Sequence, residues 1–549
     1  MGSRVRALSV THVRPAKASN PLPQDAAGDH AIKLSLFDTL FIALTPMQRL
    51  FFYEGDGLPP FPALLATLRS SLAATLAVFA PLAGKLAVSP SGDDAVVVID
   101  CSPGTVSQGV RFVEAEYAGG AADMRRLASA AEHDGEAYAQ LAPALAVSAL
   151  PAPALAVQVT RPAADTGRRR RVVVVGVSVN HAVADGQALW VFIRAWAAAA
   201  RAGSSPSPAW PPAGFVPPTF DRAAINGHPK AEEVARKFLR VFAPDLPTVS
   251  SSVMHVSRRH RVHLQISGAR GCELEQCFPR GYVQHAATCT LARHRLAPQI
   301  ITSACEQVNT FPVPDNTLQG RRTYLLSASQ ITSLKQRIVS QQSNRAAADV
   351  KPPTTYAAVA SLVWTSGVRA KNGQSDAGAD AYLMFAADCR ARLRPPMPGA
   401  FFGNCAKACY ARATVGELWD GGAGALARAA AAVHEAVREQ LEEPLADAER
   451  WLERHRAIPP DRFLQIGSSN RFAAYDTDFG WGRPSSVELA TVFVREFVAV
   501  VGAPDGAVQV SVALDRGRIH DFETNFLSHY PCAPSPRSNR HVLTRSAPR

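Results

Sequence analysis

No apolar run in these 549 residues is long enough to span a bilayer. The opening residues, MGSRVRALSV, lack the apolar core of a signal peptide, and Arg6 stands where an N-myristoylation motif needs Ser or Thr. Nine cysteines fall in no secreted-scaffold spacing, and a chain of this size can fold without bridges. The expectation is a reduced, cytoplasmic protein with no membrane partner. Charged residues make up only 19% against 47% hydrophobic, which excludes a disordered chain. A net charge of +12 raises nucleic acid as a partner. However, the basic residues are scattered, and their densest cluster, Arg168–Arg171, follows Asp165-Thr166-Gly167 as a solvated hairpin turn would. No aromatics interleave with that cluster, so no single-strand nucleic-acid groove is expected. A modest positive field suits an anionic, phosphate-bearing cosubstrate.

The length exceeds what one hydrophobic core serves and implies two domains. The chain is organised around Val172–Gly186, VVVVGVSVNHAVADG. Its valines describe a strand buried on both faces, and the segment Gln187–Ala200 that follows is helix-forming. His181 thus stands where a core strand stops, with Asp185 four residues on and Gly186 available for the turn. Open α/β sheets place reactive groups at such points. A histidine at a strand end is often a structural group with satisfied nitrogens. A neutral imidazole is also a suitable general base, and a nearby carboxylate can fix its tautomer or anchor its loop.

Elsewhere the pattern is that of packed elements. Leu64, Leu68, Leu72 and Leu76 give Phe61–Phe79 one apolar helical face; Val96–Ile99 reads as a strand. The proline-dense SSPSPAWPPAGFVPP, residues 204–218, is an extended crossover, after which Lys230–Val241 resumes helix. Residues 248–320 carry no sustained period. Their Cys272, Cys277, His285, Cys289 and His294 lack the paired spacing of a zinc site, so no metal is expected. This block reads as a disordered or mis-spliced insert. Beyond it come a strand at Arg321–Ser327, a helix at Ala328–Val339, two antiparallel strands at Val487–Val500 and Ala507–Leu514, and a short helix at Ile519–Leu527. The Pro/Ser/Arg-rich tail, 528–549, reads as disordered.

Far downstream of HxxxDG, residues Asp478, Phe479, Gly480, Trp481 and Gly482 read DFGWG. The pair of motifs resembles the plant BAHD acyltransferases, a resemblance that covers most of the chain. Leu34-Ser35-Leu36-Phe37-Asp38 and Pro81–Leu86 fit the same family, and Asp388-Cys389-Arg390 with Phe402-Gly403-Asn404-Cys405 resemble its flavonoid and phenolic glucoside branch. Phe401 replaces the usual Tyr before the latter segment, losing a hydroxyl but keeping the ring.

The resemblance implies a two-domain, α/β, chloramphenicol-acetyltransferase-like fold with the active-site channel at the domain interface. The N-terminal domain would be 1–203, the crossover 204–229, and the C-terminal domain 230–247 with 321–527. It implies His181 as general base, Asp185 positioning its loop through an unidentified Arg, and Ser468 as an oxyanion donor. Asn470 stands where another branch has Trp. Lys351, Thr354 and Thr355 would contact coenzyme A, although Thr354 or Thr355 also suits a helix N-cap. DFGWG would shape the fold. The cosubstrate would be malonyl- or hydroxycinnamoyl-coenzyme A, with no permanently bound cofactor, the acceptor a phenolic or flavonoid glucoside, and the protein a monomer. Alternatives are a hydroxycinnamoyl transferase on another alcohol or amine, or a catalytically silent binding protein.

Overall fold

A computed structural model describes residues 3–16, 30–42, 44–91, 94–147, 149–163, 171–203, 210–212, 214–243, 319–343, 352–371, 376–420, 422–490, 492 and 496–530. Within them the chain forms three sheets. The first has the order β1 (Val5–Val13), β6 (Val110–Tyr117), β8 (Leu155–Pro162), β9 (Arg171–Val179), β3 (Met47–Gly55) and β14 (Ser486–Leu489). The second has the order β10 (Gln319–Leu326), β16 (Val508–Asp515), β15 (Phe497–Gly502), β13 (Phe463–Ile466), β11 (Asp380–Asp388) and β12 (Ala406–Thr414). A smaller sheet joins β2 (Ala31–Lys33), β5 (Asp94–Asp100), β4 (Lys85–Ser91) and β7 (Ala152–Pro153).

The valine run forms β9, buried from Val172 to Val179 because the strand lies between β8 and β3 with both faces covered. The helix after it, Gly186–Gly203, buries Leu189, Phe192, Ile193 and Trp196 and packs on the Phe61–Leu76 helix. In the second half, the Thr355–Lys371 helix is buried almost all round, packed between the helices Ala423–Gln440 and Ile519–Leu527. A helix apolar on every side is stable only in such an interior position. The strand expected at 321–327 and the helices expected at 61–79, 230–241 and 328–339 are present with shifted ends, and the helix expected at 519–527 is present with the expected ends.

One expectation is corrected. Val487–Val500 is not one strand: it divides into β14 and β15, which belong to different sheets. β14 leaves the C-terminal half and pairs antiparallel with β3, placing Val487 opposite Phe51. β15 stays behind, pairing antiparallel with β16 as expected. A strand from the C-terminal half therefore completes the first sheet and ties the two halves together. The block 248–320 and most of the 528–549 tail lie outside the described residues, as do Arg168–Arg170.

Candidate active site

β9 ends at Val179, and residues 180–185 form a short loop before the 186–203 helix. Asn180 Oδ1 accepts from the Ala182 N–H at 3.1 Å, which tightens the loop. Asp185 serves as the helix cap, its Oδ1 accepting from the Ala188 N–H at 2.9 Å. Gly186 is needed for packing: a Cβ there would meet Phe472 Cε2 at 3.0 Å. The expected turn role gives way to this close approach.

Asp185 faces the partner that sequence left unidentified. Arg390 grips it with two bonds, Nη1 to Oδ2 at 2.9 Å and Nη2 to Oδ1 at 3.1 Å. Oδ2 also accepts from the Cys405 N–H at 3.1 Å. Burial alone would lower the Arg390 pKa, but Asp185 and Asp388 outweigh it and hold the guanidinium above its ordinary value. A buried, bidentate pair of this kind fixes geometry across the two halves of the molecule.

A second buried carboxylate does similar work on the other side of His181. Asp38, fully buried, takes part in a capping box with Ser35. Its Oδ2 accepts from Arg222 Nε at 2.8 Å, and its Oδ1 accepts from the Asn404 N–H at 3.0 Å and from Asn404 Nδ2 at 2.9 Å. Asn404 Nδ2 also donates to the His181 carbonyl at 2.9 Å. One carboxylate thus ties the amino-terminal segment, the crossover and the 402–405 segment to the backbone of His181. The ring of Phe401 lies 5.6 Å from the Arg222 guanidinium and 5.4 Å from that of Arg390. That position needs an aromatic face, which Phe supplies as well as Tyr.

His181 is half-buried, with Phe41 stacked flat against it at 3.9 Å between centroids and 6° between planes. Burial pushes its pKa down to about 4, with Arg49 adding to the lowering; its own backbone carbonyl, Asp185 and Asn404 oppose it. The imidazole is neutral at pH 7 and has a lone pair to offer as a proton acceptor.

The remaining expected residues lie elsewhere. Ser468 Oγ donates to the Val500 carbonyl at 2.8 Å and accepts from the Val500 N–H at 2.6 Å. An oxyanion role for Ser468 requires it to surrender the first of these bonds. Thr354 caps the 355–371 helix, accepting from the Ala357 N–H at 3.1 Å. Thr355 lines a cavity of about 330 Å³ with Asn470, Tyr475, Asp476, Gly502 and Gly506. Lys351 lies outside the described residues.

DFGWG forms a tight loop: Asp478 Oδ1 accepts from the Gly480 and Gly482 N–H groups at 2.8 and 2.9 Å, and these glycines hold φ of 103° and 99°. Phe479 packs against Tyr53 and Trp196, and Arg201 donates to the Asp478 carbonyl. Arg201 lies fifteen residues, about 22 Å at 1.5 Å per residue, along the helix from Gly186, so this loop packs on the part of that helix away from the His181 turn. Among the described residues no group of His, Cys, Asp and Glu could hold a metal ion, and no helix is long and apolar enough to cross a membrane.

Comparison with known proteins supplies the family. A model described as "Transferase family" matches residues 10–267 and 287–528, passing over only 268–286 of the 248–320 block. The chain is 25% identical to phenolic glucoside malonyltransferase 1 of Arabidopsis thaliana, covering 92% of this chain and 93% of that one. It is 23% identical to the malonyl-coenzyme:anthocyanin 5-O-glucoside-6'''-O-malonyltransferase of Salvia splendens, over 95% and 96%. The fold matches the crystal structure of vinorine synthase with a TM-score of 0.61 at 19% identity, over 96% of this chain and 98% of that one. With HxxxD at the end of β9 and DFGWG bracing the two halves, the chain belongs to the BAHD transferase family and is an acyltransferase.

Proposed function

We propose that the protein transfers a malonyl or hydroxycinnamoyl group from coenzyme A to a hydroxyl of a phenolic or flavonoid glucoside, with His181 as general base. The observation that carries this reading is a neutral imidazole at the end of β9, on a backbone held by two buried carboxylates from either side. In this mechanism His181 takes the proton of the acceptor hydroxyl, whose oxygen attacks the thioester carbonyl. The tetrahedral intermediate collapses with loss of the coenzyme A thiolate, which recovers the proton from His181. Asp185 takes no proton in this scheme; it is committed to Arg390 and holds the loop. Thr355 and the cavity beside it lie at the N-terminal end of the 355–371 helix, a position suited to the phosphates of coenzyme A. The malonyl donor and glucoside acceptor follow from the substrates named for the two malonyltransferase relatives.

The test is thiol release from malonyl-coenzyme A with a flavonoid glucoside, for the wild-type chain and His181→Ala. The expected loss is at least about a hundredfold, the low end for acid–base catalysis. A variant within a few-fold of wild type overturns the base assignment. Activity with hydroxycinnamoyl-coenzyme A alone narrows the donor.

A further inference from the structure

We infer that Phe41 is a positioning residue for the acyl transfer, its ring serving as a face against which the His181 imidazolium forms. The inference rests on the reading of His181 as general base. It begins from how firmly Phe41 is placed. Phe41 follows the capping-box helix Leu36–Thr39, and its N–H donates to the Asp38 carbonyl at 3.1 Å. Asp38 is the carboxylate that binds Arg222 and Asn404. The same knot that fixes the His181 carbonyl therefore fixes the ring lying on the imidazole.

The stack is nearly parallel, with a centroid separation of 3.9 Å and 6° between planes. Two neutral rings gain little electrostatically from a face-to-face arrangement, because both faces are negative; offset or edge-on contacts are preferred. A cation over the same face is attracted by it. The contact therefore strengthens when His181 takes the acceptor proton, and an interaction stronger in the transition state than in the ground state raises kcat. The ring also covers one side of the imidazole from water, so the base stays neutral in the resting enzyme. Among the charged and polar groups that bear on this ring are its own backbone carbonyl, Asp185 from its own loop, Arg49 from β3 and Asn404 from the 402–405 segment. Asp185 and Asn404 favour the cation and Arg49 opposes it. Asp185 is already bound by Arg390, so an uncharged aromatic face supplies stabilisation that the carboxylate shares with its partner.

The two effects of the ring separate by substitution. Phe41→Leu keeps bulk and water exclusion but removes the π face. Phe41→Ala removes both, and Phe41→Tyr keeps both. The cation–π range converts to a loss of roughly twofold to thirtyfold in kcat for Phe41→Leu, with KM for acyl-coenzyme A unchanged and the acid limb of the rate profile not raised. Phe41→Ala should lose at least as much, with its acid limb moved upward by about one pH unit or more as water reaches the imidazole. Phe41→Tyr should recover most of the rate. Far-ultraviolet circular dichroism and melting temperature, compared with wild type, establish that each variant is folded. Wild-type kcat in folded Phe41→Leu, or a Phe41→Tyr no faster than Phe41→Leu, overturns the inference. An active His181→Ala variant instead overturns the base reading beneath it. An inactive His181→Ala beside unaffected Phe41 variants removes this inference alone.

Discussion

Two buried polar groups carry opposite lessons at the scale of single residues. Asp185 and Arg390 are about 6% and 5% exposed, so neither charge can turn to water if its partner is lost. Arg390→Met leaves the carboxylate buried without its main cation and should cost about 3–5 kcal/mol, read as a fall in the urea midpoint. Asp185→Asn keeps a cap acceptor for Ala188 and leaves Arg390 its bond to Asp388, so its cost should be smaller. Equal costs for the two would show that Asp388 does not compensate the Arg390 charge. Ser468 is the contrary case. Its hydroxyl bridges both polar groups of Val500, so Ser468→Ala strands a buried N–H and carbonyl and should destabilise by about 1–3 kcal/mol. If Ser468 is structural, kcat in folded Ser468→Ala stays within a few-fold of wild type; a loss near a hundredfold with unchanged stability would restore it as an oxyanion donor.

At the scale of elements, the sequence shows which stretches are strands more readily than which sheet each joins. β9 was legible because eight consecutive buried positions leave a nearly unbroken apolar run. The division at 490–496 was not, because apolar residues flank it on both sides and period alone cannot say that the chain changes sheets there. Arg390 was invisible as a partner for the same kind of reason: it lies 205 residues from Asp185, and no local spacing reports such a distance. Asp38 and Asn404 stood in recognisable segments, but their contact joins positions 366 residues apart. DFGWG is legible as a tight loop because two glycines around a large ring have a local conformational meaning. Its function as a brace can be tested. Tyr53 Oη donates to the Thr477 carbonyl at 2.7 Å, and Gly480 holds a φ of 103° that a side chain tolerates poorly. Gly480→Ala should cost about 1–3 kcal/mol through strain, and Tyr53→Phe about 1 kcal/mol through the lost bond. Both should lower the melting temperature while kcat per folded molecule stays near wild type. A hundredfold loss of kcat in a fully folded Gly480→Ala would place the loop in the chemistry instead.

At the scale of the whole molecule, buried histidines make stability depend on acidity in a window separate from that of the carboxylates. Burial pushes both His181 and His529 down to about 4, and at His529 the nearby Arg337 and Arg369 add to the lowering. In the unfolded chain both titrate near 6.5, so between about pH 6.5 and 4 the unfolded state binds more protons than the native one. Their contribution is therefore complete above pH 6.5 and is lost as the pH falls toward 4. Two shifts of this size, discounted for the partial exposure of His181, amount to roughly 3–5 kcal/mol across the window. Asp447 behaves differently: burial raises its pKa, but Lys407 and Trp451 outweigh that, and its contribution disappears only below the ordinary carboxylate range. Urea denaturation at intervals from pH 7.5 to 4.5 should thus show a steady decline before the carboxylates protonate. His529 lies at the carboxyl-terminal end of the second half, hydrogen-bonded to Arg337 at 3.1 Å and distant in sequence from the 180–185 loop. His529→Gln cannot take up a proton, so its decline should be about half as steep, while its rate profile matches wild type. An unchanged slope in that variant would assign the acid sensitivity of the fold to other groups, and a displaced rate profile would couple the end of the chain to His181.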